Sequence, residues 1–421
     1  MEAEGQAIIG TKRRSDVDAI RAALVIGLVF FHTANIFDLL PYAVKNDQTS
    51  IVLMAFVGFF SQWGMPLLFF MAGVATWHSL SKRTPSQFIV ERIKRLAIPF
   101  VTGLCVVVPP QRYYGLLTNP DYRDSFWQFY PKFFRVVFTA SFPQFIAPDP
   151  AMGVFEISHL WFLYYLFVFS LMALPLLLYL KKERGRRFAS RLAAICGRRG
   201  AMLLLAIPIV SIELFFRFGQ SGGWNRFSFL GFLVYGYLFA STNGFDRSAR
   251  DDWWIALNAG VVSIALFFWM SVVTWQAGID PSRGYGATNV LWRLSKGCSS
   301  WFWVLAIWGV GQSFRQHRPL RKKSAPARNG FFGRVLEYAN EAVLPFYVIH
   351  QTVIVIIGFH VVKWAAGVAV KYFTISLASV AMTVLLYDVF VRRINITRFL
   401  FGMKPKQRNA ALKAVRVKMV A

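Results

Sequence analysis

Charged residues are scarce in this sequence, and acidic ones are the scarcest. Asp, Glu, Lys and Arg make up 16% of the 421 residues, and only 20 side chains are acidic. Because a soluble domain carries roughly a quarter of its residues as charges, this composition excludes an ordinary soluble protein. Hydrophobic residues reach 56% and aromatic residues 17%, which indicates a protein whose bulk is buried in lipid.

Cysteines and the motifs of several enzyme classes are also scarce. The three cysteines, Cys105, Cys196 and Cys298, lie far apart and match neither a metal-ligand spacing nor a disulfide framework. The chain has no His/Cys/Asp cluster at metal spacing, no glycine-rich phosphate loop after a strand and no nucleophile elbow. The sequence therefore disfavours metal-dependent and serine-hydrolase chemistry, and we predict no metal site.

The sequence consists largely of long apolar segments. Many approach the ~20 residues that span a bilayer as a helix. They predict an all-α, polytopic membrane domain at 18–392, between a cytoplasmic N-terminal tail at 1–17 and a basic cytoplasmic C-terminal tail at 393–421. We expect ten transmembrane helices, at 18–38, 51–79, 92–109, 158–180, 201–217, 227–242, 253–275, 288–314, 335–362 and 368–391.

The net charge of +27 could suggest a nucleic-acid partner, but the distribution of basic residues favours another cause. With ten crossings, alternate loops lie on opposite sides of the membrane. The side that includes both tails holds 34 Lys and Arg, whereas the loops of the other side hold 10. This bias follows the positive-inside rule, which places basic loops in the cytoplasm. It predicts that both termini are cytoplasmic, and we expect no nucleic-acid partner.

Between residues 18 and 32, the first apolar segment carries three ionisable residues, Asp18, Arg21 and His32. At ~100° per residue they share one helical face, and Arg21 and His32 are about 16 Å apart along the axis. One interpretation is structural: Arg21 reaches the interface and pairs with Asp18, and His32 forms a buried hydrogen bond. The other is catalytic, because a histidine titrates near neutral pH and can act as a general base.

Several blocks give this chain a family resemblance. Four features occur in this order: Arg21 and His32 with ten residues between them in the first helix, "RIKRLAIPF" at 92–100, "HLWFLYYL" at 159–166 and "NEAVLPFYVIHQTVIV" at 340–355. Together they resemble the acyltransferase 3 family of integral membrane acyltransferases. "VVPPQRYY" at 107–114 resembles the glucan-modifying OpgC/MdoC-like succinyltransferases within it.

The resemblance implies transfer of an acetyl or succinyl group from cytoplasmic acyl-CoA to a hydroxyl, usually of an envelope or periplasmic carbohydrate, at the inner (plasma) membrane. It implies that His32 is catalytic and that Arg21 is its paired basic residue. Arg92 and Arg95 would contact the CoA end of the donor. Their guanidinium groups, three residues apart on one helical face, suit the negative charges of CoA independently of the resemblance.

Four further residues are candidates for binding the acceptor or the acyl group: His159, Arg217, Arg293 and His350. Three of them have a structural alternative as well. His159 could cap its helix, Arg217 could pair with Glu213 four residues earlier, and His350 could bond to a neighbouring helix. Arg293 or the nearby Lys296 could pair with the free carboxylate of a succinyl group.

Two other functions fit parts of this pattern. A transporter or flippase of a sugar-containing substrate could use the same buried charges without any acyl transfer. Acylation of a peptide or antibiotic hydroxyl would keep the same site and change only the acceptor. The predicted partners are therefore acyl-CoA, a carbohydrate or glycolipid acceptor and the lipid bilayer.

Overall fold

The computed structural model describes residues 15–140, 145–216, 220–221, 224–316 and 330–406. Of the two predicted tails, residues 1–14 and 407–421 lie outside the described residues. Arg217, one of the candidate substrate-binding residues, also lies outside them.

Sixteen α-helical elements make up most of the described chain, as the sequence predicts. In chain order they are α1 (Ser15–Ala34), α2 (Ile51–Leu80), α3 (Pro85–Arg92), α4 (Ile98–Thr102), α5 (Val108–Leu116), α6 (Phe126–Phe133), α7 (Trp161–Met172), α8 (Leu174–Lys181), α9 (Glu183–Cys196), α10 (Ala206–Phe215), α11 (Arg226–Ser241), α12 (Asn243–Gln276), α13 (Ala287–Gln316), α14 (Phe331–Val361), α15 (Val368–Leu386) and α16 (Asn395–Leu400).

Irregular helical turns and two small hairpins complete the described part. Three π-helical turns occur at Ile93–Ala97, Gly103–Val107 and Tyr387–Val391, and 3-10 turns precede α7 and α10 at Ser158–Leu160 and Ala201–Leu205. The antiparallel hairpins pair β1 (Val136–Phe138) with β2 (Ile146–Pro148) and β3 (Gln220–Ser221) with β4 (Trp224–Asn225). The predicted all-α class is confirmed.

Six helical spans of the described chain are long and apolar enough to cross a membrane. They are Val17–Ala34, Ile51–Leu80, Pro85–Leu116, Asn243–Gln276, Gly333–Val361 and Val368–Val391. A seventh results if α7 and α8, whose pair bends by 53°, form one broken span. The remaining predicted segments coincide with α10, α11 and α13. The chain is therefore a multi-pass membrane protein in which all ten predicted segments are helical.

The α1 helix lies inside the bundle, in contact with α2, α13, α14 and α15. Its apolar side chains Leu28 and Val29 are buried. The hydroxyl of Tyr372 on α15 donates to the carbonyl oxygen of Phe30 at 3.3 Å. Because α1 is held from several sides, the position of His32 near its end is fixed by packing as well as by its own backbone.

A backbone carbonyl that lacks its helical donor binds α6 to the span that ends at Leu116. Pro109 has no N–H group and cannot bond to the carbonyl of Cys105 four residues earlier. The hydroxyl of Tyr130 on α6 donates to this carbonyl oxygen at 3.0 Å. Phe129 and Phe133 of α6 are fully buried beside it. The aromatic-rich segment after Leu116 is thereby held against the bundle.

The α2 and α11 helices cross with their backbones in contact. A Cβ atom on Gly73 would lie 2.0 Å from the carbonyl oxygen of Leu233, and one on Gly236 would lie 1.8 Å from that of Phe70. Neither distance is possible between non-bonded atoms, so only glycine fits at either position. Small residues at helix crossings are the usual means by which membrane helices approach this closely.

We expect Gly236→Ala to destabilise the protein by at least about 1–3 kcal/mol, because the added methyl needs space that a backbone atom occupies. The melting temperature of the purified protein in detergent measures the effect. Gly367→Ala is the matched control, since nothing lies within 4 Å of a Cβ built there. Equal melting temperatures for the two variants would contradict the role assigned to this crossing.

Candidate active site

Three histidines from distant parts of the chain meet inside the helix bundle. His32 lies near the end of α1, His159 in the 3-10 turn before α7, and His350 in α14. The ring centroids of His32 and His350 are 5.4 Å apart, and those of His159 and His350 are 5.3 Å apart. His350 is 0% and His159 6% exposed, whereas His32 is only half-buried. His32 is thus the most accessible member of this histidine cluster.

Successive carbonyl groups of α14 hold the two buried histidines. The Nε2 atom of His159 lies 2.9 Å from the carbonyl oxygen of Val348, and Nδ1 of His350 lies 2.6 Å from that of Tyr347. The hydroxyl of Tyr347 donates in turn to the carbonyl oxygen of His159. One turn of α14 therefore fixes the orientation of both rings.

The backbone before His159 is in an unusual conformation. Ser158 has a φ of 45°, a left-handed value that a residue other than glycine rarely adopts. Gln111 donates from Nε2 to the Ser158 hydroxyl. Thr352 on α14 donates to the carbonyl oxygen of Val107 at 2.7 Å, beside Gln111. Strained residues of this kind cluster at functional sites, where surrounding contacts hold them.

Polar residues from the adjoining loops and α5 lie next to the histidine cluster. Gln351 donates to the hydroxyl oxygen of Tyr42 at 2.6 Å, and Arg112 pairs with Glu156 at 3.5 Å. Burial raises the pKa of the Glu156 carboxyl, against the lowering effect of the Arg112 charge. Burial likewise raises the pKa of the Tyr42 phenol, so that this hydroxyl stays neutral at physiological pH.

Arg21 lies about three turns below His32 and bridges two helices. It donates to Asp18 at 2.8 Å and to the side-chain oxygen of Asn340 on α14 at 3.0 Å. The predicted pairing with Asp18 is therefore present, and a second contact joins it. About a third of the Arg21 side chain is exposed. The structure brings Arg21 to α14, the helix of His350, but not into the histidine cluster.

The two predicted CoA-binding arginines have different surroundings. Arg92 donates to the hydroxyl of Thr76 on α2 at 3.0 Å and lies over the ring of Phe88, with 4.5 Å to the centroid. Arg95 is exposed. Arg95 lies in the π-helical turn Ile93–Ala97, which begins directly after Arg92, and the wider winding of this turn changes the relative orientation expected for two residues three apart on an α-helix.

Arg293 holds a loop in place. Its guanidinium donates to the carbonyl oxygens of Pro281 at 3.3 Å and Gly284 at 3.1 Å, and the residue is 4% exposed. The structure does not bring it to the histidine cluster.

Glu213 pairs with Lys296 of α13, at 3.0 Å. Both side chains are almost completely buried, at 3% and 2% exposed. The other carboxylate oxygen of Glu213 accepts from the backbone N–H of Asn225 at 3.1 Å and from the hydroxyl of Ser228. Lys296 also lies over the ring of Trp224, 4.4 Å from the centroid. The Arg217 partner predicted for Glu213 lies outside the described residues.

The sequence did not single out three residues that support the histidine cluster: Gln111, Ser158 and Tyr347. Gln111 and Ser158 are polar positions at the ends of apolar segments, and Gln111 and Tyr347 also fall within blocks of the family resemblance. Gln111 is bonded to Thr352 of α14 and Ser158 to Gln111, contacts between parts of the chain that are far apart in sequence. Among the described residues, no group of three or more His, Cys, Asp or Glu side chains is placed to hold a metal ion.

The fold and the site together define a multi-pass, all-α membrane protein with a polar, histidine-containing centre. A family model described as "Acyltransferase domain" (Acyl_transf_3) matches residues 14–391. Because this match covers most of the chain, the protein belongs to this acyltransferase family. It is therefore an enzyme that transfers acyl groups other than aminoacyl groups, which favours the predicted enzyme over a transporter without chemistry. No match was found among the curated proteins or the solved structures.

Proposed function

We propose that this enzyme transfers an acetyl or succinyl group from cytoplasmic acyl-CoA to a hydroxyl of an envelope or periplasmic carbohydrate, at the inner membrane. The observation that carries the proposal is the half-buried His32, held beside two fully enclosed histidines in a member of an acyltransferase family. A histidine that a substrate can reach is suited to act as the general base of this reaction.

His32 would act on the acceptor hydroxyl. Its neutral ring nitrogen takes the hydroxyl proton as the oxygen bonds to the thioester carbonyl carbon. The carbon–sulfur bond then breaks, and the sulfur receives a proton from the His32 imidazolium to give free CoA. A covalent acyl-His32 intermediate is the other route, and trapping acylated protein in the absence of acceptor distinguishes the two.

The proposed topology brings the donor to this base from the cytoplasm. The bias of 34 against 10 basic residues supports ten crossings with both termini cytoplasmic. On this topology Arg21, Arg92 and Arg95 lie toward the cytoplasmic side, where the phosphates of CoA would meet guanidinium groups. The span from Arg21 to His32, about 16 Å by helical rise, is a distance that the extended arm of CoA can bridge.

On the acceptor side, His159 and His350 would support the site behind His32 without contacting the acceptor themselves, because their rings are enclosed. Both belong to the cluster around His32. Arg293 is a weak candidate for acceptor binding, because its donors already bond to the loop carbonyls of Pro281 and Gly284. The resemblance of "VVPPQRYY" to the glucan-modifying OpgC/MdoC-like enzymes supports a glucan as acceptor, and Gln111 of this block lies in the network around His159.

Two experiments test the proposal. Membranes containing the enzyme are incubated with labelled acetyl-CoA or succinyl-CoA and isolated envelope glycans, and we expect label in the glycan. Mass spectrometry then compares periplasmic and envelope glycans from a deletion strain with those from wild type, and a missing acetyl or succinyl mass is expected. Absence of transfer with either donor, together with unchanged glycan masses, would refute a carbohydrate O-acyltransferase.

We expect Arg95→Ala to raise the KM for acyl-CoA by about 10- to 100-fold, the usual effect of losing a hydrogen bond to a charged group. Arg95 is exposed, so its removal should leave folding intact. Lys94→Ala is the matched control, because Lys94 is an equally exposed neighbour of the same charge. Equal KM values for the two variants would show that the region supplies net charge only and no specific contact.

A further inference from the structure

The contacts of the two buried histidines determine which of their ring nitrogens carries hydrogen. Carbonyl oxygens only accept hydrogen bonds, so the nitrogen facing each of them must be an N–H group. His159 is therefore protonated at Nε2, toward Val348, and His350 at Nδ1, toward Tyr347. An imidazolium would lose its hydration at these enclosed positions, so both rings are neutral. The opposite nitrogens, His159 Nδ1 and His350 Nε2, are then lone-pair acceptors.

Neither acceptor is used within the described part of the chain. His159 Nδ1 and His350 Nε2 are both buried and have no hydrogen-bond partner among the described residues. Leaving a buried polar atom unsatisfied costs about 1–3 kcal/mol. Such atoms are uncommon in folded proteins, and each one calls for an explanation, of which a catalytic role is one.

His32 lies close enough to donate a hydrogen bond to one of these acceptor nitrogens, Nε2 of His350. Two imidazoles joined by an N–H···N bond of about 2.9 Å have centroids roughly 5.2 Å apart. The observed separation between His32 and His350 is 5.4 Å, with the ring planes 44° apart. A small rotation of the half-buried His32 side chain would therefore form the bond. Catalytic hydrogen bonds are often long before substrate binds and tighten in the complex.

We infer that His350 is a positioning residue, whose Nε2 accepts a hydrogen bond from one ring nitrogen of His32. This bond would fix the tautomer of His32 and present its other nitrogen, unprotonated, to the acceptor hydroxyl. The inference rests on the proposed function, which makes His32 the general base. It adds a neutral histidine, His350, as the group that orients this base. His159 lies edge-on to His350, at 82° between the rings, and limits its rotation.

A neutral orienting partner has a chemical consequence. A carboxylate in this place would attract the imidazolium formed during the reaction through a full negative charge. His350 would contribute only a lone pair, so its removal should cost less than the loss of a charged orienting group. The main effect is on the tautomer and orientation of His32, and hence on kcat.

His350→Phe and His350→Gln form the test pair. Phenylalanine keeps a ring but has no acceptor, whereas the glutamine carbonyl can reach the position of Nε2. With labelled acetyl-CoA or succinyl-CoA and envelope glycans, we expect kcat to fall about 10- to 100-fold in His350→Phe. The KM for the donor should be unchanged. The kcat of His350→Gln should be at least tenfold higher than that of His350→Phe. A rise in acceptor KM with unchanged kcat would overturn the inference in favour of direct substrate contact.

Nitrogen NMR of the full-length, histidine-labelled protein in lipid nanodiscs gives a readout that does not need activity. We expect His32 to be a single tautomer in the wild type and in His350→Gln, and a mixture in His350→Phe. A mixed tautomer in the wild type, or a single one in all three proteins, would refute the pairing. If wild-type membranes show no transfer but His32 is a single tautomer that becomes mixed in His350→Phe, the proposed function fails and the pairing stands.

Discussion

His32→Ala is expected to lower acyl transfer by about 10²- to 10⁴-fold, the contribution usual for a general base. His32 is the one member of the histidine cluster that is not fully enclosed, and it lies 5.4 Å from His350 between ring centroids. Because a half-buried side chain near a helix end adds little packing, the variant should insert and fold normally. Transfer of labelled acyl groups by membranes with matched protein content measures the effect.

His360→Ala is the matched control for this experiment. His360 is an exposed histidine of α14, in contact with the rings of Phe359 and Tyr114 and away from the cluster. We expect wild-type transfer from this variant. Wild-type activity in His32→Ala would mean that another group removes the proton, and the assignment of the site would be wrong.

Lys296→Met should destabilise the protein by about 3–5 kcal/mol, the cost of leaving one charge of a buried pair without its partner. The ammonium of Lys296 is 3.0 Å from Glu213, with both side chains nearly inaccessible to solvent. Methionine has a similar volume, so the loss of charge dominates over any cavity. The melting temperature in detergent and the yield of monodisperse protein measure the change.

The double variant Glu213→Leu/Lys296→Met separates charge from packing. Removing both charges should recover most of the stability, apart from the bonds that Asn225 and Ser228 donate to Glu213. Arg187→Ala is the control for an exposed pair, because Arg187 and Glu183 are 70% and 67% exposed, and its effect should be near zero. A double variant as unstable as Lys296→Met would show that packing, and not charge, explains the loss.

The apolar segments were sufficient to predict ten helical stretches of this protein, whereas the helices α6, α9 and α16 lie outside them. Every apolar segment predicted from the sequence coincides with a helix, because backbone in lipid must satisfy its own hydrogen bonds and helices do this locally. The Arg21–Asp18 pair was predictable for a similar reason, since residues three apart on a helix are neighbours. The family match over residues 14–391 confirms the resemblance drawn from the order of the motifs.

Contacts between distant segments could not be predicted in this way. The sequence selected His32, His159 and His350 one by one, but nothing in their spacing predicts that the rings of His32 and His159 both lie within 5.5 Å of the His350 ring. The pairing of Glu213 with Lys296 depends on how α10 and α13 pack, which composition does not specify. The separate surroundings of Arg92 and Arg95 arise from a π-helical turn that periodicity, which assumes a regular α-helix, does not anticipate.

The crossing at Gly73 and Gly236 also bears on how substrates reach the centre of the enzyme. Two helices whose backbones touch cannot slide past each other without first separating, so α2 and α11 should move as one rigid body. Any rearrangement that admits a substrate must therefore leave this crossing intact and occur at other helix contacts.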